Sequence, residues 1–437
     1  MIQKWVKLSF IYLFFVGALG CLLRWVMFSP VEGINFRYFL HTHSHLAFLG
    51  WVFNALFAAM IFAYLPHKAK NYRLLFWLLQ LAVLGMMFTF PWQGYAAASI
   101  AFSTAHIFLS YWFAGKFLFD TKSKKLSSSP LSLMFMRWAL FFMVLSSIGP
   151  FALGAIMAKG LAGTDLYQLA IYFYLHFQYD GWFTFAVFGL FFWLLERHKV
   201  AFSIKSGHRF LWLMAIACLP AYTLSTLWTH PPVGIYAVGF VAVAMQIMAV
   251  AYLFHMIRNR KRQLKQILLP WTTRLLTFAV GAFLVKITLQ TASAFPAIAD
   301  LAYNIRNFTI GYLHIVFLGF ISVFLIGWFH QTGLFIIHSK TMRSGIVLFL
   351  SGFVLSELYI FLQPLYFMVG FGLIPYSHQV LFAISLLMPA GIGMFLFRAV
   401  RITVSGTRRH SLKIVPSFQS HQKKTFEVEK SGSQQEA

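Results

Sequence analysis

Apolar runs of about 20 residues, separated by short polar segments, recur along nearly the whole chain, and a run of that length is what a helix needs to cross the hydrocarbon core of a bilayer. The pattern predicts about twelve transmembrane helices. The first four run near Leu8–Phe28, His45–Leu65, Leu74–Phe90 and Ala97–Phe119. The next four lie near Phe135–Ala158, Gln168–Leu195, Phe210–His230 and Val233–Met256. The last four lie near Leu275–Ala294, Phe308–Phe329, Gly345–Phe367 and Ser377–Arg398. The first run continues past Arg24 without a small-residue cleavage site, so it is expected to be a retained span and not a signal peptide. The expected architecture is all-α and polytopic, a helical bundle over residues 1–403 followed by a basic tail over 404–437. That tail is rich in Ser, Gln and Lys and has no apolar period, so it is expected to be disordered and cytoplasmic.

Composition agrees with a lipid solvent: of 437 residues 60% are hydrophobic, 19% aromatic and only 10% charged, with a mean hydropathy of +0.73. The net charge of +25 would favour nucleic acid in a soluble protein. Here Lys68, Lys70, Arg73, Lys122, Lys124, Lys125, Arg197, Lys199, Lys205, Arg209 and the group from Arg258 to Lys265 all fall in alternate loops. Such loops face the cytoplasm, which predicts a multi-pass cell-membrane protein with both termini inside and a basic face towards anionic lipid. No nucleic-acid partner is expected. The two cysteines, Cys21 and Cys218, both lie within apolar runs, which argues against a disulfide framework or a thiolate metal site.

That orientation collects the histidines. His41, His43 and His45 open the second span from the outer side, and His106, His176 and His314 lie several residues into the fourth, sixth and tenth spans from the same side. At about 1.5 Å per residue these deeper positions sit roughly 9–14 Å below the boundary, so they can converge. Imidazole is the commonest metal ligand and carries protons near neutral pH, so a shared site for a metal or haem is one reading. A helix-to-helix hydrogen bond is the other reading for each His taken singly. Because a helix advances about 100° per residue, His41 and His45 share a face that His43 largely avoids. His230, at the outer end of the seventh span, and His378, opening the twelfth, belong to the same outer half.

Asp180 follows His176 by four residues and faces the same way, so it can ligate a metal, orient the imidazole, deliver protons or bond a neighbouring helix. Lys286 and Glu357 lie deep in the ninth and eleventh spans, as a mutual pair, a proton path or separate structural contacts. Arg24 is placed either to snorkel to the outer interface or to meet an anionic group such as a haem propionate.

These motifs resemble those of the catalytic subunit of haem-copper oxidases and, more closely, their nitric oxide reductase relatives. His176-Phe177-Gln178-Tyr179-Asp180-Gly181 resembles the sixth-span pattern of the reductase branch. His314-Ile315-Val316-Phe317-Leu318-Gly319 is similar to the tenth-span run, and His43-Ser44-His45-Leu46 through Gly50-Trp51 to Tyr64-Leu65-Pro66 is similar to a second-span pattern of divergent members. The resemblance implies a haem, of b type, held by His314 and by His45 or, as second choice, His43, with Arg24 near its propionates. It also implies copper or non-haem iron at His176 and His230, and Asp180 where the reductase branch keeps a glutamate; His106 and His41 are further candidate metal ligands by their place in the outer half. A quinol or a cytochrome would supply electrons within a respiratory chain. Two positions depart from the pattern: Thr229-His230-Pro231 stands where the family has adjacent histidines, and Tyr312 replaces the ligand of the reactive haem. The low-spin haem is therefore better supported than a full binuclear centre.

Three functions follow as expectations. The first is a haem-binding membrane oxidoreductase or electron-transfer protein with a degenerate binuclear site. The second is a non-catalytic haem or copper protein for nitric oxide defence or sensing. The third is a proton-coupled or metal transporter, for which the echo of His45–Gly50 in His314–Gly319 would be an internal repeat.

Overall fold

In the computed structural model, which describes residues 1–122 and 130–404, the chain is helical throughout and forms no strand among the described residues. With no water in the hydrocarbon core, a helix satisfies its backbone groups within itself, which is why this composition folds this way. Helices α1 (Ile2–Val26), α2 (Phe36–Tyr64), α3 (Pro66–Gln93), α4 (Ala97–Asp120) and α5 (Leu131–Ala158) come first. The sixth, α6, runs unbroken through Asp165–His176, Phe177–Phe183 and Thr184–Arg197, and α7 spans Ile204–Cys218. Helices α8 (Val233–Asn259), α9 (Pro270–Ala292), α10 (Arg306–Gln331), α11 (Lys340–Met368) and α12 (Ser377–Phe397) complete the order. The residues expected to form the disordered tail, apart from Val404 at a helix end, and the loop holding Lys124 and Lys125 lie outside the described residues.

Ten of these helices are long and apolar enough to cross a membrane, against the twelve expected. The two that fall short do so for different reasons. Helix α6 carries His176, Gln178 and Asp180 at its centre, which lowers its hydropathy. Helix α7 has only 15 residues, roughly 22 Å, and stops where Pro220 opens a 3₁₀ turn. His230 is therefore not the end of a span: it sits in a loop with a left-handed backbone (φ 51°) ahead of Pro231 and Pro232. Helix α2 differs the other way, beginning nine residues before the expected His45. The Asn35 side chain accepts from the amides of Arg37 and Tyr38 and caps it, so the three histidines lie inside the helix.

Three helices are central. The apolar window of α2 is 83% buried and that of α10 72%, against 28–44% for the other eight crossing helices, and α6 is buried from His176 to Leu190. The remaining helices pack in sequence around them, with α12 returning to α1. On the central line Phe48, Phe183 and Phe317 touch one another, with ring centroids 4.3–6.0 Å apart. Polar groups join the same helices: Trp51 donates to Ser322 (2.7 Å), Tyr64 to the Gly189 carbonyl (3.3 Å) and Trp328 to the Leu190 carbonyl (3.2 Å).

Each central helix has the same local break. A π-helical segment follows directly on His45 (Leu46–Phe53), His176 (Phe177–Phe183) and His314 (Ile315–Ser322). Thr184 and Ser322 bond back five residues, to the carbonyls of Tyr179 and Phe317, which matches the wider turn. Five residues after each His comes a glycine, Gly50, Gly181 or Gly319. A Cβ would meet Leu46 and Tyr12 at the first, Phe142 at 2.5 Å at the second, and Phe353 at 2.8 Å at the third. The echo seen between two spans is thus a His-x4-Gly pattern in three, and the glycines let a neighbouring helix approach the π segment.

Small residues also seat the outer pair α11 and α12. A Cβ at Gly391 would lie 2.6 Å from the Phe349 amide nitrogen, whereas one at Gly115 would meet nothing within 4 Å. Gly391→Val is expected to cost about 1–3 kcal/mol through overpacking and to lower the melting temperature in detergent, while Gly115→Val leaves it unchanged.

Candidate functional site

The candidate residues fall into three groups. The first group lies between α1, α2, α10 and α11. His314 Nδ1 is 2.9 Å from Glu357 Oε1, and His43 Nδ1 is 3.0 Å from the Val16 carbonyl. The two imidazoles are close enough for their charges to interact, and Arg24 interacts in the same way with Glu357 and His43. Each imidazole has its Nδ1 held by an acceptor, which places that proton on Nδ1 and leaves the Nε2 lone pair available. No protein hydrogen bond engages either Nε2 among the described residues. His43 rests on Gly20, where a Cβ would come within 3.3 Å of its Cε1. The His314 side chain keeps 26% of its surface accessible although Glu357 beside it keeps 8%.

The second group lies on α6, α7 and α9. Lys286 Nζ is 2.5 Å from Asp180 Oδ1, and His176 Nδ1 is 3.1 Å from Asp180 Oδ2. Lys286 also donates to Gln290 Oε1 at 2.7 Å, and His176 Nε2 meets the Cys218 carbonyl at 2.8 Å. Lys286 and His176 are each 1% exposed and Asp180 4%. Tyr179 and Tyr312 stack edge to face at 5.8 Å, linking α6 to α10. The Cys218 carbonyl is free to accept because α7 ends there and leaves its last carbonyls without helical partners.

The third group lies on α2, α3 and α4. His45 Nδ1 faces the His41 carbonyl (2.9 Å), the Tyr95 hydroxyl lies 3.3 Å from its Nε2, and His41 packs against Tyr95 at 4.6 Å. His106, 2% exposed and set edge-on to Phe53, is near enough to interact with His45, and its Nε2 has no protein partner. His41 and His45 do share a face away from His43, as helical periodicity requires.

The structure thus brings His43, the second choice from sequence, within charge-interaction range of His314, while the preferred His45 turns its Nε2 to Tyr95. Lys286 and Glu357 do not pair with each other: one joins Asp180 and the other His314. His230 stands apart with 71% of its side chain exposed, 3.8 Å from Asp300. His176, His230, His106 and His41 do not converge, and no group of three His, Cys, Asp or Glu side chains suited to a metal ion occurs among the described residues. Sequence reasoning passed over Gln290, Gly20 and the Val16 and Cys218 carbonyls. Gln290 was findable, four residues after Lys286 on one helix face, whereas a backbone carbonyl leaves no mark in a sequence.

These features define the class: an all-α polytopic membrane protein whose interior carries histidines and charges. No protein-family model matches the chain, and no curated protein matches it.

Proposed function

We propose that the protein is a haem-binding membrane oxidoreductase or electron-transfer protein, similar to the haem-copper oxidase and nitric oxide reductase catalytic subunits, in which His43 and His314 would hold one low-spin haem. The observation that carries this reading is the pair of imidazoles on α2 and α10 within charge-interaction range of each other, each with Nδ1 fixed by an acceptor and Nε2 unengaged. That is the arrangement an axial ligand needs, because the Nδ1 acceptor sets the tautomer and ring direction and raises the basicity of the nitrogen that faces the metal. Bound there, the haem iron would supply a one-electron couple. Glu357 orients His314, Val16 orients His43, Gly20 leaves room for the His43 ring, and Arg24 is placed to neutralise a propionate. Haem of b type fits, since two separated cysteines cannot provide the C-x-x-C-H attachment of a c-type haem.

Tyr312 stands where a second haem would need a histidine, and His230 is remote, so electron transfer is favoured over reduction of oxygen or nitric oxide. In this reading α6 and α7 also cross, giving twelve spans in the cell membrane, with the basic loops inside and the histidines near the outer face. A quinol or a cytochrome is the proposed donor.

A pyridine haemochrome assay on the purified protein is expected to find about one haem per chain with bis-imidazole optical and paramagnetic signatures. A preparation in which the folded protein carries no haem would refute the reading. Glu357→Gln is expected to keep the haem but raise its midpoint potential, because a neutral amide withdraws less proton density from His314 than a carboxylate does. A potentiometric titration of the reduced band measures this.

A further inference from the structure

The cluster on α6, α7 and α9 has two oxygen donors of a cation site, the Asp180 carboxylate and the Gln290 amide oxygen, both buried and meeting at one point, with the His176 imidazole against the other oxygen of that carboxylate. That point is occupied by the ammonium of Lys286, 2.5 Å from Asp180 Oδ1 and 2.7 Å from Gln290 Oε1. We infer that Lys286 is the resident cation of this site, standing between Asp180 and Gln290 where a metal ion would otherwise sit, and that its ammonium keeps the site closed to metals.

Three observations carry the inference. An isolated carboxylate at 4% exposure inside an apolar bundle is too costly to stay ionised, and Lys286, at 1% exposure and from a different helix, supplies its counter-charge. The His176 ring has both nitrogens engaged: Nε2 lies 2.8 Å from the Cys218 carbonyl and Nδ1 3.1 Å from Asp180 Oδ2. A metal would have to displace one of these contacts before the ring could ligate it. Lastly, Lys286 is itself held in place by Gln290, four residues on along α9, so the ammonium is positioned and not merely nearby. Removing the ammonium takes away the counter-charge of Asp180, and a borderline divalent ion such as Zn2+ taking its place would displace the His176 contact with that carboxylate and gain an N/O site.

The inference is independent of the haem reading, because haem is measured by its own spectrum and the metals by mass spectrometry and thermal shift with Zn2+ alone as the probe. The wild-type chain, purified in detergent, is expected to hold no stoichiometric copper, zinc or non-haem iron, and its melting temperature is expected not to respond to Zn2+. Lys286→Met, prepared with chelator, is expected to melt lower and to recover several degrees when Zn2+ replaces the chelator. The neutral pair Asp180→Asn/Lys286→Met, which strands no charge, is expected to be indifferent to Zn2+. About one equivalent of a non-haem metal in the wild type, lost in His176→Ala, overturns the inference, and so does a folded Lys286→Met that Zn2+ does not stabilise. If Lys286→Met does not accumulate, the wild type decides alone: a Zn2+-dependent rise in its melting temperature that His176→Ala abolishes refutes the proposal, and no such rise upholds it.

Discussion

His314→Ala is expected to abolish the low-spin haem band in difference spectra of reduced membranes, and His43→Ala to do the same, while His45→Ala keeps it. A haem held by two imidazoles would need an unengaged Nε2 from each, and the pair with Nδ1 held by an acceptor and charges that interact is His43 and His314. Removing either imidazole would take away one of the two residues that would hold the haem, so the low-spin band would be lost. Even changes in the groups that orient such ligands typically cost 10–100-fold in affinity, and removal of the ligand itself costs more. His45 spends its Nδ1 on the His41 carbonyl and turns its Nε2 to Tyr95, so its loss leaves the pair intact. If His45→Ala lost the band and His43→Ala kept it, the assignment of the second-span ligand would be wrong.

The second large effect concerns folding. Asp180→Asn leaves the Lys286 ammonium buried with only Gln290 for company, and breaking a buried pair by removing one partner costs about 3–5 kcal/mol. The variant is expected to accumulate poorly and to melt well below the parent. Adding Lys286→Met is expected to return most of that stability, because replacing both charges by neutral groups removes the desolvation penalty together with the attraction. The melting temperatures of the parent, the two singles and the double form the cycle that measures the coupling. Near-additivity across that cycle would show that the contact contributes little.

How much of this was legible in the sequence differs from residue to residue. The membrane class, the helical content and the ten crossing helices follow from the lengths of the apolar runs. Helices α6 and α7 are where hydropathy and structure part. In α6 the polar residues of the interior lower the signal, and in α7 a proline cuts the helix short and leaves His230 in a loop. The start of α2 was missed because Phe36 to Ser44 is polar on average, although Asn35 caps it.

The candidate residues were mostly identified from sequence; their partners were not. His176, Asp180, Lys286, His314, Glu357 and Arg24 all stood out as ionisable groups in apolar segments, which is a local property. Which of them meet depends on the order of helices around the bundle and on the rotation of each about its axis. In α2, α6 and α10 the π segments add a further change of phase. An extra residue per turn shifts every later side chain by about 100°, so a face read off a regular 3.6-residue period stops being valid beyond the histidine. The sequence by itself determined the lipid solvent, the helices and the residues with chemistry, because each is set within one turn or one run of the chain. Tertiary structure alone decided that His43 comes within charge-interaction range of His314, that Lys286 lies beside Asp180, and that His230 joins neither, because those interactions cross between segments more than forty residues apart in the chain.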